Sequence, residues 1–143
     1  MNESAQKVTS KPLPARSMLK VLLVDDDAFQ LDIMSEMLRA IGVNDIVCAS
    51  SGTEALRQLS GKNPGVHLML LDLHMPGMDG FQFMESLARV GFAGSLIIVS
   101  GQSDDVMHAA TLVAQLRRFT LLGSVAKPVE RRALTGLVSR VCS

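Results

Sequence analysis

Polar side chains that could do chemistry stand directly after several apolar stretches of this sequence. They are the acids Asp25, Asp26 and Asp72, the hydroxyl residue Ser100 and the amine Lys127. An apolar run of this kind is typical of a strand buried on both faces. Open α/β folds bind their ligands at the carboxyl edge of such strands. We therefore expect the five side chains to lie at one edge of a parallel sheet.

The three acids of this group predict a magnesium site. Like charges within about 4–6 Å of one another raise the pKa of at least one group unless a cation lies between them. Mg²⁺ is a hard ion that binds carboxylates together with water and phosphate oxygens. Taken alone, the run Asp25-Asp26-Asp27 is as typical of a solvated helix cap. The position of Asp72 at the end of another buried strand favours the metal site.

Ser100 and Lys127 extend the prediction from a metal to a phosphoryl group. Alone, each residue is more typical of a solvated or capping position. Together, a hydroxyl and an ammonium could pair with two oxygens of a phosphoryl group on Asp72. We therefore predict that Asp72 is a carboxylate nucleophile that forms an acyl phosphate. The sequence contains no Gly-rich loop of the kind that binds a nucleotide, and no obvious general base for a hydrolytic water.

Strands and helices are predicted to alternate five times along the chain. This pattern favours a doubly wound parallel sheet of order 2-1-3-4-5 with helices on both faces. The predicted strands cover 20–24, 45–49, a stretch ending at 72, 96–99 and 121–126, and the predicted helices cover 28–41, 51–59, 79–90, 103–116 and a segment after 128. The apolar faces expected for the first and last helices are Phe29, Ile33, Met37, Leu38 and Ile41, and Val129, Ala133, Leu137 and Val141.

Composition limits the classes of protein to which the chain could belong. At 143 residues, 48% hydrophobic and 3% aromatic, it suits one domain with an aliphatic core. A net charge of +0 provides no field for nucleic acid or a membrane surface, and no apolar run is long enough to span a bilayer. Two cysteines suit a reducing compartment, so we expect a cytoplasmic protein. Residues 1–18 are expected to form a flexible tail that is not a secretion signal, and 19–143 to form the domain.

Four motifs together resemble the receiver domain of two-component response regulators. They are Val21–Asp27, Leu71–Gly80, Ser100-Gly101 and Lys127-Pro128, and the resemblance covers Lys20 to Val141. It implies a flavodoxin-like fold and transfer of a phosphoryl group to Asp72 from a sensor histidine kinase or a histidine phosphotransfer protein. It also implies a regulator that catalyses only its own phosphorylation and dephosphorylation.

The resemblance assigns roles to individual residues. It implies that Mg²⁺ binds Asp26, Asp72 and the main-chain carbonyl of His74, with Asp25 holding a metal-bound water. Ser100 and Lys127 would contact the phosphoryl group, and the Lys127-Pro128 peptide bond would be cis. His74 and Gln102 would flank the phosphoryl group, although solvated loop positions are an equal alternative for both.

Two features qualify the resemblance. Receivers commonly carry Tyr or Phe three residues before the lysine, but this chain has Ser124 there, so an aromatic switch is not expected. Residues 119–128 resemble receivers that precede EAL-type cyclic-di-GMP phosphodiesterase domains. This second resemblance would make the chain part of a larger regulator with that output.

Other classes of protein remain as alternatives. A degenerate receiver that acts only as an interaction module would also account for Ser124. A small aspartate-nucleophile phosphatase would place a second acid two residues after Asp72, where this chain has His74. An FMN-binding flavodoxin would need a Ser, Thr and Gly loop after the first strand, where the three aspartates stand.

Overall fold

Strands and helices alternate along the chain in the computed structural model, which describes residues 12–60, 65–75, 77, 79–100, 108, 111, 115 and 120–143. The elements are β1 (Lys20–Val24), α1 (Ala28–Ala40), β2 (Asp45–Ala49), α2 (Gly52–Leu59), β3 (Leu68–Asp72), α3 (Gly80–Arg89), β4 (Ser95–Ser100), β5 (Thr120–Ala126) and α4 (Arg131–Val138). Most of the helix predicted for 103–116 lies outside the described residues, although His108, Thr111 and Gln115 are helical. None of the described helices is both long and apolar enough to cross a bilayer.

The five strands form one parallel sheet in the order β2-β1-β3-β4-β5. This confirms the predicted flavodoxin-like, doubly wound fold of order 2-1-3-4-5. The order makes β1 and β3 neighbours, with Val24 paired to Leu71. The register of the β4–β5 pair shifts between Leu96 and Ile97. Such a shift is a local bulge, and it lies on an edge strand, where bulges are common.

Two apolar clusters cover the two faces of the sheet, because successive residues of a strand point to opposite sides. One cluster includes Leu23 and Leu70 and packs against α1 and α4. The other includes Leu22 and Leu71 and packs against α2 and α3. Strands β3 and β4 are buried along their whole length, which explains why both read as continuous apolar runs in the sequence.

The first and last helices bury only part of the faces that were predicted. Leu38 and Val129 are buried as expected, but Phe29 is 67% exposed, and α1 also buries Leu31, Met34 and Ser35. In α4 the buried residues are Leu134 and Val138, whereas Ala133 is exposed. In α1 apolar residues lie around much of the circumference, so spacing alone did not identify the side that meets the sheet.

The segment before β1 has described structure from Pro12 onward. Arg16–Met18 form a short 3₁₀ helix, and Leu19 is fully buried. The 3₁₀ helix falls at the end of the stretch 1–18 that the sequence analysis assigned to a flexible tail, and Leu19 is the first residue of the predicted domain. The Arg16 guanidinium donates to the carbonyl of Ile41 and to Ser139 Oγ, at 3.2 and 3.3 Å. The earlier part of that stretch, 1–11, lies outside the described residues.

Candidate functional site

Three aspartates meet where β1 and β3 end side by side. Asp25 follows β1 and is fully buried, and Asp72 is the last residue of β3 and is 2% exposed. Asp26 is exposed at the surface of the same site. One carboxylate oxygen from each residue lies within 4.8 Å of the others. The structure therefore brings together the three acids that the sequence analysis grouped, at the carboxyl edge of the sheet.

Backbone amides fix the two buried carboxylates. The N–H of Asp27 donates to Asp25 Oδ1 at 2.9 Å, and the N–H of His74 donates to Asp72 Oδ1 at 2.8 Å. Each bond spans two residues, as in the turns that Asp side chains commonly form with their own backbone. Hydrogen bonds to the charged form stabilise a carboxylate in a buried position. The second oxygen of each acid, Oδ2, faces the cation of Lys127.

The ammonium of Lys127 joins the two buried acids. Its Nζ lies 3.1 Å from Asp25 Oδ2 and 3.1 Å from Asp72 Oδ2. Lys127 directly follows β5, so its backbone belongs to the same edge of the sheet, and the Lys127-Pro128 bond is cis, as predicted. Partial burial acts to lower the pKa of Lys127, but the close polar contacts with Asp72 and Asp25 and the negative charges of both acids together outweigh it and raise that pKa above its ordinary value. The amine of Lys127 is therefore held in its protonated, positively charged form in this pocket.

The donor set fits a divalent metal ion. Asp25 Oδ2 is buried and has no hydrogen-bond partner among the described residues, since its contact with Lys127 is an ion pair that lacks hydrogen-bond alignment. Among the described residues one ammonium contacts the two buried carboxylates, and the exposed Asp26 adds a third carboxylate, so the cluster carries excess negative charge. A hard cation with oxygen ligands would satisfy that excess. His74, whose main-chain carbonyl was predicted to be a ligand, follows Asp72 by two residues and has an exposed side chain.

Ser100 ends the neighbouring strand at the same edge. It is 3% exposed, and its main-chain carbonyl accepts from the N–H of Lys127 at 3.2 Å. Asp72 pairs with Val99 in the β3–β4 register, so Ser100 lies one position further toward the carboxyl edge. Gln102, which was expected to flank the phosphoryl group, lies outside the described residues.

Ser124 occupies an exposed position on the edge strand β5, three residues before Lys127. The next residue, Val125, is 4% exposed and belongs to the core. The position that often carries an aromatic ring in receivers thus presents a small hydroxyl to the surface.

Asp27 has a supporting role that the sequence analysis did not assign to it separately from the acidic run. Its side chain caps α1 by accepting from the N–H of Phe29 at 3.0 Å, while its own N–H donates to Asp25. Asp27 therefore connects the start of a helix to a buried carboxylate of the site. The signal was available in the sequence, because Asp before an amphipathic segment is a common N-cap.

A cavity of about 430 Å³ lies at the opposite edge of the sheet. Its lining includes Leu13, Val66, Phe92 and Val141, and no charged side chain is among the described residues that form it. His67, also in the lining, accepts at Nδ1 from the N–H of Lys20. The described residues that line this cavity include no carboxylate or ammonium group, so we assign the candidate site to the carboxyl edge of the sheet.

Comparisons with known proteins agree with this arrangement. The profile of the response regulator receiver domain matches residues 21–139. The osmosensing histidine protein kinase SLN1 of Saccharomyces cerevisiae is 23% identical over 129 residues, which are 87% of this chain and 10% of that protein. A protein-glutamate methylesterase/protein-glutamine glutaminase of Myxococcus xanthus is 31% identical over 139 residues, or 87% of this chain and 39% of that protein.

A solved structure gives the same result. A response regulator from Colwellia psychrerythraea superposes with a TM-score of 0.73 at 28% identity, covering 87% of this chain and 98% of that one. The chain thus spans much less than two thirds of the two relatives above and nearly all of this regulator. The profile match, the sheet order and the buried acidic cluster together lead to one conclusion: the chain belongs to the family of response regulator receiver domains of two-component signalling.

Proposed function

We propose that Asp72 accepts a phosphoryl group from the phosphohistidine of a sensor histidine kinase or a histidine phosphotransfer protein. The observation that carries this proposal is the environment of Asp72, a 2% exposed carboxylate at a strand end with the Lys127 ammonium 3.1 Å from its Oδ2. A carboxylate nucleophile needs neighbouring positive charge, because the phosphoryl group that it receives adds negative charge to the site. The pocket meets that requirement.

In the proposed transfer, a carboxylate oxygen of Asp72 attacks phosphorus. An O–P bond forms, the P–N bond of the phosphohistidine breaks, and its electron pair stays on the imidazole nitrogen. Lys127 then exchanges its contact with Asp72 for one with a phosphoryl oxygen, and the hydroxyl of Ser100 donates to another. The His74 N–H keeps its hydrogen bond to Asp72 Oδ1, which holds the side chain in one orientation. Positioning and charge therefore account for the reaction without a general base.

Asp25, Asp26, Asp72 and the main-chain carbonyl of His74 are the groups that would hold Mg²⁺, with Asp25 acting through a bound water. When bound, the ion would neutralise the charge that gathers on the acids and on the phosphoryl oxygens. The buried Asp25 Oδ2, for which the described part of the chain offers no hydrogen-bond partner, supports this assignment.

We propose that phosphorylation changes which partner or output domain the protein contacts. The protein would thus act as a regulator and not as a metabolic enzyme. Because Ser124 is small and exposed, the signal would pass through the segment after Ser100 and not through a ring at position 124. An EAL-type output domain in the complete protein and a cytoplasmic location are part of the same proposal. Both rest on sequence resemblance and cysteine usage.

Intact mass of the full chain after incubation with acetyl phosphate and Mg²⁺ tests the chemistry. We expect a gain of one phosphoryl mass that is lost when EDTA replaces Mg²⁺ and in Asp72→Asn. The matched control is Asp45→Asn, which alters an exposed acid at the start of the edge strand β2 and should keep full labelling. Equal labelling of Asp72→Asn and the unmodified chain would disprove the assignment.

Two other functions would give different experimental results. A degenerate interaction module, which Ser124 favours, would gain no mass under any condition. An aspartate-nucleophile phosphatase would release inorganic phosphate from a small phosphomonoester repeatedly. The residue two positions after Asp72 is His74, which opposes this second function, because such enzymes use an acid there.

A further inference from the structure

The N-terminal segment Pro12–Met18 contacts two helices at the edge of the sheet opposite the acidic site. Its arginine, Arg16, donates from Nη1 to the carbonyl of Ile41 at 3.2 Å and from Nη2 to Ser139 Oγ at 3.3 Å. Ile41 is the C-cap of α1, and Ser139 is the C-cap of α4. One guanidinium therefore bridges the C-terminal ends of both helices that cover this face of the sheet.

The location suits a cation for two reasons. The last carbonyls of a helix have no partner within the helix and carry the negative end of its dipole. The guanidinium is a planar fork of N–H donors, so a single arginine can reach acceptors on two elements. Ser139 Oγ also donates to the carbonyl of Thr135 at 2.8 Å, which fixes the hydroxyl as an acceptor for Arg16.

Further contacts on both sides of Arg16 hold the segment in place. The N–H of Ser143 donates to the carbonyl of Pro14 at 2.9 Å, which ties the residues after α4 to the segment. On the other side, Gly42 lies against Arg16, since a Cβ built on Gly42 would be 3.7 Å from Arg16 Cβ. The segment then turns through its 3₁₀ helix, with the Met18 N–H bonded to the carbonyl of Ala15, and leads into β1.

We propose that residues 12–18 act as a clasp that restrains helix α4. The clasp holds the far end of the helix that begins four residues after Lys127, while the sheet provides the fixed support. Release of the clasp frees the C-terminal turns of α4 and α1 and leaves the strands in place. The segment is thus a conformational restraint of the domain.

Hydrogen exchange of the full chain tests the clasp through the variant Arg16→Ala. The readout is the exchange rate of Gly42 and Arg140, whose N–H groups bond to the carbonyls of Arg39 and Leu137 at the two helix ends. Each helix end loses one side-chain hydrogen bond in this variant, which predicts roughly 2- to 10-fold faster exchange at each of the two amides. Strand amides such as Leu22 should be unchanged.

Two further variants separate bridging from simple charge. Arg39→Ala removes an exposed arginine from the last turn of α1, where its side chain forms an ion pair with Glu36 at 3.6 Å, and should leave exchange at Arg140 unaltered. Arg16→Lys keeps the positive charge but replaces the guanidinium with an ammonium, which cannot reach both acceptors. Exchange at one of the two helix ends should therefore be as fast as in Arg16→Ala. In every variant, labelling of Asp72 by acetyl phosphate should be normal.

Two results would overturn the clasp. A uniform increase in exchange across helices and strands of Arg16→Ala would make Arg16 a contributor to overall stability only. Exchange at Gly42 and Arg140 equal to that of the unmodified chain would show that the bridge restrains nothing. Neither result depends on whether Asp72 accepts a phosphoryl group.

Discussion

Replacing Lys127 with methionine tests the charge balance of the acidic site, because it removes the only ammonium that contacts the buried acids in the described part of the chain. Asp25 and Asp72, at 0% and 2% exposure, would then face each other with no positive charge between them. Removing one partner of a buried ion pair costs about 3–5 kcal/mol. The Lys127 side chain is 25% exposed, so we expect the lower end, about 3 kcal/mol.

Urea unfolding in EDTA measures this loss, and thermal unfolding should show a midpoint lower by about 6–12 °C. Adding Asp25→Asn to Lys127→Met should recover much of the loss, because a single buried carboxylate no longer faces a second one. Lys20→Met is the matched control: this half-buried lysine makes no ion pair with a described residue, so the change should be within about 0.5 kcal/mol. A loss below about 1 kcal/mol in Lys127→Met would refute the reasoning.

Three further predictions follow from the structure. Gly94→Ala should lose about 1–3 kcal/mol in urea unfolding, because its Cβ would lie 2.8 Å from the carbonyl oxygens of Val66 and His67, and an unchanged midpoint would contradict this. Gly136→Ala should gain about 0.4–1 kcal/mol, since open space surrounds this position in α4, and a loss would show an unrecognised contact. The raised pKa of Lys127 means that its ion pairs contribute stability fully below the ordinary pKa of 10.5 and lose it as the pH rises through the higher folded value. In metal-free protein, unfolding measured across this alkaline range should show the loss in the unmodified chain, and an equal slope in Lys127→Met would contradict it.

The grouping of the candidate-site residues could be predicted from the sequence because each of them lies at the end of a strand or within two residues after it. Burial on both faces makes β3 and β4 continuous apolar runs, so the polar residues that end them, Asp72 and Ser100, are easy to recognise. Parallel pairing then places the strand ends together, as observed for Asp25 and Asp72. The hydrogen bonds to the carboxylates were not predicted, since they depend on the local turn geometry at Asp27 and His74.

Other features required the three-dimensional structure. Phe29 and Leu31 lie two positions apart in α1, and helical spacing alone does not show that Leu31 meets the sheet while Phe29 is exposed. The contacts of Arg16 join residues 25 and 123 positions apart, so no local pattern signals them. The close approach of Gly94 to the backbone before β3 is likewise a property of packing between neighbouring strands.

The division of the core by the sheet determines how mutations combine. Leu23 and Leu22 are adjacent in β1, yet the first packs in the cluster beneath α1 and α4 and the second in the cluster beneath α2 and α3. Truncating a side chain such as Leu134 on one side and Met84 on the other opens two voids that share no lining atoms across the backbone layer. The losses in free energy of unfolding should therefore be additive for this pair. Two truncations beneath the same helices should not be additive, because the structure around one void can adjust to the other.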